Sequence, residues 1–497
     1  MKVKRQLYRN DMLRCALCDN APCRNACGKF DCAKALRSIW LDNEDSAARL
    51  MPDINVCSGC AADCEKACVF AGEVPVKSLM ESLFSIREEV SIPAYDGANR
   101  LKTSMCGIPL DNPFLLSSSV VASSYEMCAR AFDMGWAGAA FKTVSMLDIH
   151  EASPRFSAVK DDIGAIYGFK NIEQLSDHSL IENADIFRKL KQDYPEKLLL
   201  VSIMGRDEAE WEEISRIVTQ AGADAVELNF SCPNMAEDGL GSDVGQSPEL
   251  VERFSAAARR GTRLPILAKL TPNTGTMSEA ALAAKRGGAD GLAAINTIKC
   301  ITGINPHTYV SAPAVHGYSA VGGYSGVAVK PIALRFIAEL GANPSLNGMH
   351  ISGMGGVETW HDALEFILLG AGSIQITTAV MQYGCRIIDD LITGLDGYLA
   401  EKGVGHIEDM IGRGLYAVRA TEQLERDTVV YPKFERAKCI GCGRCALSCR
   451  DGGHQAIELN ESRRPILNPK RCVGCHLCAL ICPAGAIAPS RTRMAKN

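Results

Sequence analysis

The cysteines constrain this chain more than any other feature. Of 22 in 497 residues, nine fall between Cys15 and Cys68 and eight between Cys439 and Cys482. The long middle holds only Cys106, Cys128, Cys232, Cys300 and Cys385. Such crowding at both ends divides the chain into a cysteine-rich N-terminal module (1–95), a middle domain (96–400), a linker (401–432) and a cysteine-rich C-terminal module (433–497). The opening MKVKRQLYRNDML is charged and lacks the apolar stretch of a secretory signal. A reducing cytoplasm is therefore expected, where many cysteines mean metal rather than disulfides.

The C-terminal module reads Cys439-x2-Cys442-x2-Cys445-x3-Cys449 and then Cys472-x2-Cys475-x2-Cys478-x3-Cys482-Pro483. This is the spacing of a two-cluster ferredoxin, in which each run wraps three thiolates around one [4Fe-4S] cube and sends its fourth to the other. One cube then takes Cys439, Cys442, Cys445 and Cys482, and the other Cys449, Cys472, Cys475 and Cys478. Zinc sites use C-x2-C pairs but have no need of a third and fourth cysteine at these offsets. The N-terminal module reads Cys15-x2-Cys18-x4-Cys23-x3-Cys27, then Cys32, then Cys57-x2-Cys60-x3-Cys64-x3-Cys68. Eight of these nine can ligate two further cubes in a mainly helical domain, and spacing alone leaves the spare one open, as it leaves open zinc or a single cluster.

In the middle, short apolar runs alternate with stretches of helical periodicity. They begin at Phe114, Gly138, Leu198, Ala225, Pro265, Gly291, Met349 and Ser373. Eight such repeats predict a (β/α)8 barrel, with a doubly wound sheet as the alternative. Barrels carry their functional groups where strands end. Here those ends supply Ser118 and Ser119, Lys142, Met204 with Gly205, Asn229, Lys269, Asn296 with Thr297, the glycines Gly353, Gly355 and Gly356, and Thr377 with Thr378. The last two ends, together with Tyr324, Ser325 and Gly326, offer amides and hydroxyls for a phosphate. A phosphate there and two lysines round the same mouth suit FMN, whose reduced ring carries negative charge. A flavin also joins hydride chemistry to the one-electron chemistry of the cubes.

The net charge is −5 with both signs interspersed, so there is no electrostatic footprint for nucleic acid. No apolar run approaches the ~18 residues of a membrane span. Small molecules and proteins are the expected partners.

The strings ELNFSCPN, ILAKLTPN, AAINT and YSGVAVKPIALR, with the paired C-terminal cysteine runs, resemble dihydropyrimidine dehydrogenase. The likeness is to its pyrimidine-reducing half, which bacteria make as a separate catalytic subunit, and it covers about residues 96 to 485. LRCALCDNAPCRNAC resembles the two-cluster N-terminal domain of the long single-chain enzyme. The resemblance implies reduction of the 5,6 double bond of uracil or thymine, with hydride from FMN and a proton from the loop cysteine, here Cys232. It implies substrate contacts at Asn171, Glu173, Asn229, Ser231, Asn296 and Thr297. It implies flavin contacts at Ser118 or Ser119, Lys142, Lys269, Ser325, Gly326, Gly355, Gly356, Thr377 and Thr378. For the N-terminal cubes it implies Cys15, Cys18, Cys23 and Cys68 for one, and Cys27, Cys60 and Cys64 for the other. The family's fourth ligand there is a glutamine, which is missing near Met80, leaving Cys57 or Cys32 as the substitute. The other middle cysteines, Cys106, Cys128, Cys300 and Cys385, are expected to be buried apolar filler.

Fewer than 30 residues separate Cys68 from the barrel, and they contain no G-x-G-x-x-G. A partner subunit carrying FAD and the nicotinamide site, or a ferredoxin, is then required to feed the clusters, in an assembly of several chains. Two other readings compete. One keeps the barrel and changes the substrate to dihydroorotate or another cyclic amide; the other makes the chain an electron relay with a vestigial barrel. Asn171 and Glu173 favour a neutral pyrimidine, and Lys142, Cys232 and Lys269 together argue against a relay.

Overall fold

The computed structural model describes residues 12, 15–52, 54–70, 73–89, 99–162, 164–235 and 240–496. By their contacts these residues form two units, Met1–Tyr416 and Ala417–Asn497.

The first unit is built on a closed barrel of eight parallel strands. They are β1 (Phe114–Leu116), β2 (Gly138–Val144), β3 (Leu198–Ile203), β4 (Ala225–Asn229), β5 (Ile266–Lys269), β6 (Gly291–Ala294), β7 (His350–Gly353) and β8 (Ser373–Ile376). Each apolar run expected to be a strand is one, and the eightfold barrel replaces the doubly wound alternative. Nearly every strand residue is buried, because parallel strands under a ring of helices are covered on both faces. A helix follows each strand, from α1 (Tyr125–Asp133) and α2 (Leu180–Asp193) through α3 (Glu208–Gln220), α4 (Pro248–Gly261), α5 (Ser278–Arg286) and α6 (Lys330–Gly341) to α7 (Trp360–Leu368) and α8 (Ile388–Lys402). Local chemistry sets where several begin. Ser179 and Glu182 form a capping box on α2, Thr359 and Asp362 one on α7, and Ser247 caps α4 with Pro248 in its first turn. A hairpin, Thr103–Met105 with Ile108–Leu110, closes the barrel floor by packing Met105 and Leu110 on Leu115, Leu200 and Leu267.

One element has no counterpart in the sequence reading. The insertions after β2 and β6 meet in an antiparallel sheet whose order is Ile298–Cys300, Gly322–Ser325, Ile166–Asn171, Phe156–Lys160. It carries Asn171 and Ser325 to the barrel mouth. Gly168 is obligatory there, because a Cβ would stand 2.5 Å from the Ser325 carbonyl oxygen.

The N-terminal segment is helical, with Pro22–Cys27, Cys32–Trp40, Glu44–Arg49, Asp63–Lys66 and Val76–Glu89. It packs on the barrel through a buried polar joint. Arg37 Nε lies 2.7 Å from Asp390 Oδ2, Ser38 Oγ donates to Asp390 Oδ1 at 2.5 Å, and Asn43 Nδ2 donates to the Asp390 carbonyl at 3.0 Å. Trp360 Nε1 donates to the Asp42 carbonyl at 2.8 Å, and Arg386 donates to the carbonyls of Leu17 and Cys18. Burial raises the Asp390 carboxyl above its ordinary pKa, and Arg37 and Ser38 pull it back.

The expected linker is divided between the units. Residues up to Tyr416 stay with the barrel, where Gly412 and Gly414 donate to carbonyls of α7. Among the described residues the second unit has three small antiparallel pairs, two short α-helices, Arg444–Gly452 and Leu477–Leu480, and a 3-10 turn at Thr421–Gln423. Among the described residues no helix is long and apolar enough to cross a membrane.

Candidate active site

The C-terminal strand ends open into a cleft of about 1070 Å³, counting its open mouth. Of the residues singled out from the sequence, Ser118, Ser119, Lys142, Asn171, Glu173, Asn229, Cys232 and Lys269 line it. So do Asn296, Thr297, Ser325, Gly355, Gly356, Thr377 and Thr378. Ser231 and Gly326 lie outside the lining, and each acts on it through a neighbour.

Ser231 works as an orienter. Its Oγ donates to Asn229 Oδ1 at 2.9 Å and accepts from Asn296 Nδ2 at 2.8 Å. Asn229 Nδ2 donates to Thr143 Oγ1 at 2.9 Å, and Asn296 Oδ1 accepts from the Thr297 amide at 2.7 Å. Both carboxamides are thereby fixed in orientation, and each keeps one N–H to offer a ligand carbonyl. Asn234 supplies the complement. Its Nδ2 donates to Asn171 Oδ1 at 3.1 Å and to the Glu173 carbonyl at 2.8 Å, leaving Oδ1 buried without a partner on the cleft wall. A buried acceptor of this kind is expensive unless a ligand N–H meets it. Sequence reasoning missed Asn234 and Thr143, although Asn234 is the last residue of the ELNFSCPN run.

The two lysines are buried and already compensated. Lys142 Nζ lies 3.7 Å from Glu151 Oε1 and 3.8 Å from Glu173 Oε2, and Arg155 Nη1 lies 3.1 Å from Glu173 Oε1. Burial raises the Glu173 pKa, against the pull of Lys142 and Arg155. Lys269 Nζ stands 3.2 Å from Glu227 Oε1. Glu151 is another residue the sequence did not single out.

The cleft also holds a cluster of hydroxyls. Ser119 Oγ and Thr377 Oγ1 are 2.9 Å apart, and Thr378 Oγ1 donates to Ser325 Oγ at 3.1 Å, which ties β1, β8 and the added sheet into one hydroxyl cluster. Gly356 has φ +81° and its Cβ would stand 2.7 Å from the Gly326 carbonyl oxygen, so backbone alone fits there. Lys330 beside it is committed to Asp362 at 2.5 Å and Glu365 at 2.8 Å. Hydroxyls, glycine backbone and two lysines lining one cleft fit a flavin nucleotide.

Cys232 is 6% exposed on the loop after β4. Burial pushes its thiol pKa up to about 11, with a smaller push from Glu151, against a backbone hydrogen bond from Asn234 and the fields of Lys269 and Lys142. At neutral pH it is a thiol, able to give a proton. Of the four filler cysteines, Cys128 is buried as expected, whereas Cys106, Cys300 and Cys385 are only half-buried.

Twelve of the remaining cysteines line three small cavities. Cys439, Cys442, Cys445 and Cys482 surround one of about 410 Å³, and Cys449, Cys472, Cys475 and Cys478 one of about 350 Å³. Cys15, Cys18, Cys23 and Cys68 surround a third of about 400 Å³. Four thiols spread round one cavity fit a cube better than a single ion; among the described residues no three His, Cys, Asp or Glu groups converge on one point. Cys57 and Cys64 are each electrostatic neighbours of Cys27 and Cys60, while Cys32 hydrogen-bonds Cys23 and also neighbours Cys27 and Cys64.

Residues 100–399 match the dihydroorotate dehydrogenase family model, and residues 433–488 the 4Fe-4S dicluster domain. The chain is 54% identical over 365 residues to the NAD-dependent dihydropyrimidine dehydrogenase subunit PreA of Escherichia coli, covering 73% of this chain and 89% of that one. It is 35% identical over 339 residues to the chloroplastic dihydropyrimidine dehydrogenase (NADP(+)) of Arabidopsis thaliana, covering 66% and 80%. It is 36% identical over 316 residues to the catalytic subunit of dihydroorotate dehydrogenase B (NAD(+)) of Pyrococcus abyssi, covering 63% and 99%. With the barrel, the cleft and the cysteine cages in place, the chain belongs to the dihydroorotate dehydrogenase family, as a member of the dihydropyrimidine dehydrogenase type with a 4Fe-4S dicluster domain after its barrel.

Proposed function

We propose that the chain reduces the 5,6 double bond of uracil or thymine as the FMN and iron-sulfur subunit of a dihydropyrimidine dehydrogenase. The observation that carries this is a buried Cys232 in one cleft with fixed amide donors and an orphaned acceptor. A uracil edge alternates carbonyl and N–H. The spare N–H groups of Asn229 and Asn296 suit its carbonyls, and Asn234 Oδ1 suits an N–H. Asn171, Glu173 and Thr297 close the same wall. When bound, FMN supplies hydride to one ring carbon and exchanges electrons with the clusters. Cys232 gives the other carbon its proton and must regain one each cycle. Ser118, Ser119, Ser325, Gly355, Gly356, Thr377 and Thr378, with Gly326 behind them, would hold the nucleotide phosphate, and Lys142 and Lys269 would stabilise negative charge on the reduced ring.

Both C-terminal cages would hold [4Fe-4S] cubes, as would the cage of Cys15, Cys18, Cys23 and Cys68. Cys57, beside Cys27 and Cys60, is the fourth ligand we assign to a second N-terminal cube with Cys64, and Cys32, which hydrogen-bonds Cys23, is the spare. Electrons would come from an FAD- and NAD(P)H-binding partner subunit or a ferredoxin, in a cytoplasmic assembly of several chains. Dihydroorotate is the less suitable substrate, because its carboxylate needs a cation and both Lys142 and Arg155 face Glu151 and Glu173.

The test is anaerobic. The chain is reduced with dithionite, freed of excess reductant and given uracil, and flavin reoxidation is followed with dihydrouracil formation. Stoichiometric product is expected; a flavin that stays reduced with uracil and thymine overturns the reading. Cys232→Ala should keep flavin and iron and lose ~10²-fold or more in rate. In the parent, activity should persist through neutral pH and fall only as pH rises toward about 11, where the thiol loses its proton.

A further inference from the structure

Barrel interiors are normally filled by layers of branched apolar side chains. The floor layer here obeys, with Leu115, Leu200 and Leu267. The layer beneath Lys269 does not. Glu227 projects inward from β4 with no exposure, and its Oε1 is the atom 3.2 Å from Lys269 Nζ. Gln375 of β8 donates from Nε2 to Glu227 Oε2 at 3.0 Å and reaches Ser352 Oγ at 3.2 Å. Ser352 accepts from Ser373 Oγ at 2.9 Å, and Ser373 Oγ lies 2.8 Å from His350 Nε2. A polar column thus runs from Lys269 at the mouth to His350 at the start of β7.

Few charges act within it. Burial lowers the His350 pKa to about 4, so the ring is neutral at working pH, and Cys232 is a thiol. Lys142 is occupied by Glu151 and Glu173. Glu227 is therefore the carboxylate that compensates Lys269, and a buried carboxylate is costly wherever an apolar side chain would pack as well.

We propose that Glu227, oriented by Gln375, is a positioning residue that holds Lys269 as a charged ammonium in both redox states of the flavin. This rests on the reading of Lys269 as a flavin contact. An oxidised ring is neutral, so without Glu227 a buried ammonium has no counter-charge and desolvation favours loss of its proton. A reduced, anionic ring would restore that counter-charge, and the lysine would take its proton up again. Glu227 thereby keeps a second proton from being coupled to each electron pair.

The experiment measures the flavin midpoint potential by dye equilibration across the neutral pH range in the parent, Glu227→Gln, Glu227→Asp and Gln375→Leu. The parent should take up one proton per two electrons. Glu227→Gln should approach two, doubling the slope of potential against pH, and Glu227→Asp should restore the parental slope. Gln375→Leu, which spares the carboxylate but removes its donor, should steepen it partway and carries the test if Glu227→Gln does not fold. Slopes identical to the parent in flavin-loaded variants overturn the proposal alone; a parent chain that binds no flavin overturns the cleft reading with it.

Discussion

The two cysteine-rich ends look alike in sequence and are built on different physics. The C-terminal module has almost no core of its own. Among the described residues its buried apolar side chains are Val429, Pro432, Ala456, Ile457, Ala486 and Ile487 with two cage cysteines, Cys445 and Cys478. The N-terminal module buries Leu36, Ile39, Met51, Val74, Val76, Leu79, Met80 and Leu83 around its thiols and is pinned to the barrel by the Arg37–Asp390 joint. Cys442 and Cys475 are exposed, whereas Cys32 is 1% exposed. Cysteine spacing reports which metal a segment can hold, and says nothing about whether the segment depends on it.

Four experiments put that contrast at risk. Stripping iron anaerobically should have the largest effect, since the metal sites of small domains contribute folding energy outright. Residues 417–497 should become protease-sensitive while the N-terminal helices survive; a resistant C-terminal fragment after iron loss would remove the distinction. Asp390→Ala leaves the buried Arg37 with only the longer 3.8 Å contact to the half-exposed Asp389, which should cost about 3–5 kcal/mol of N-terminal docking. Denaturant titration with N-terminal proteolysis reads this, and a loss below about 1 kcal/mol would show the joint to be incidental. Cys475→Ser and Cys18→Ser should each lose one cube's iron, but the first should also loosen its module, as judged by circular dichroism. The smallest change belongs to Cys32→Ala, which should keep all iron and cost about 1 kcal/mol. Loss of a cube in that variant would make Cys32 a ligand and Cys57 the spare.

Most of the barrel was legible in the chain because its strands, buried on both faces, read as continuous apolar runs, and the polar residue ending each run marks the mouth. The added sheet was not. Gly322–Ser325 and Ile166–Asn171 pair across some 150 positions at the rim, without the continuous burial that gives a run its signature. Glu227 was hidden for a related reason. It sits in a strand as if it were core, and Gln375, the residue that explains it, lies 148 positions further on.

The order of amino acids alone specified the C-terminal cysteine runs and the eightfold repeat, because each is written in short-range spacing along the chain. The folded chain brought Cys15, Cys18, Cys23 and Cys68 to one cavity and fixed which carboxamides keep a free N–H. It also settled that Lys269 is compensated from inside the barrel and that Arg37 meets Asp390, 353 positions away. Those choices rest on single contacts between distant residues, where complementarity of charge and hydrogen bonding leaves no periodic trace along the chain.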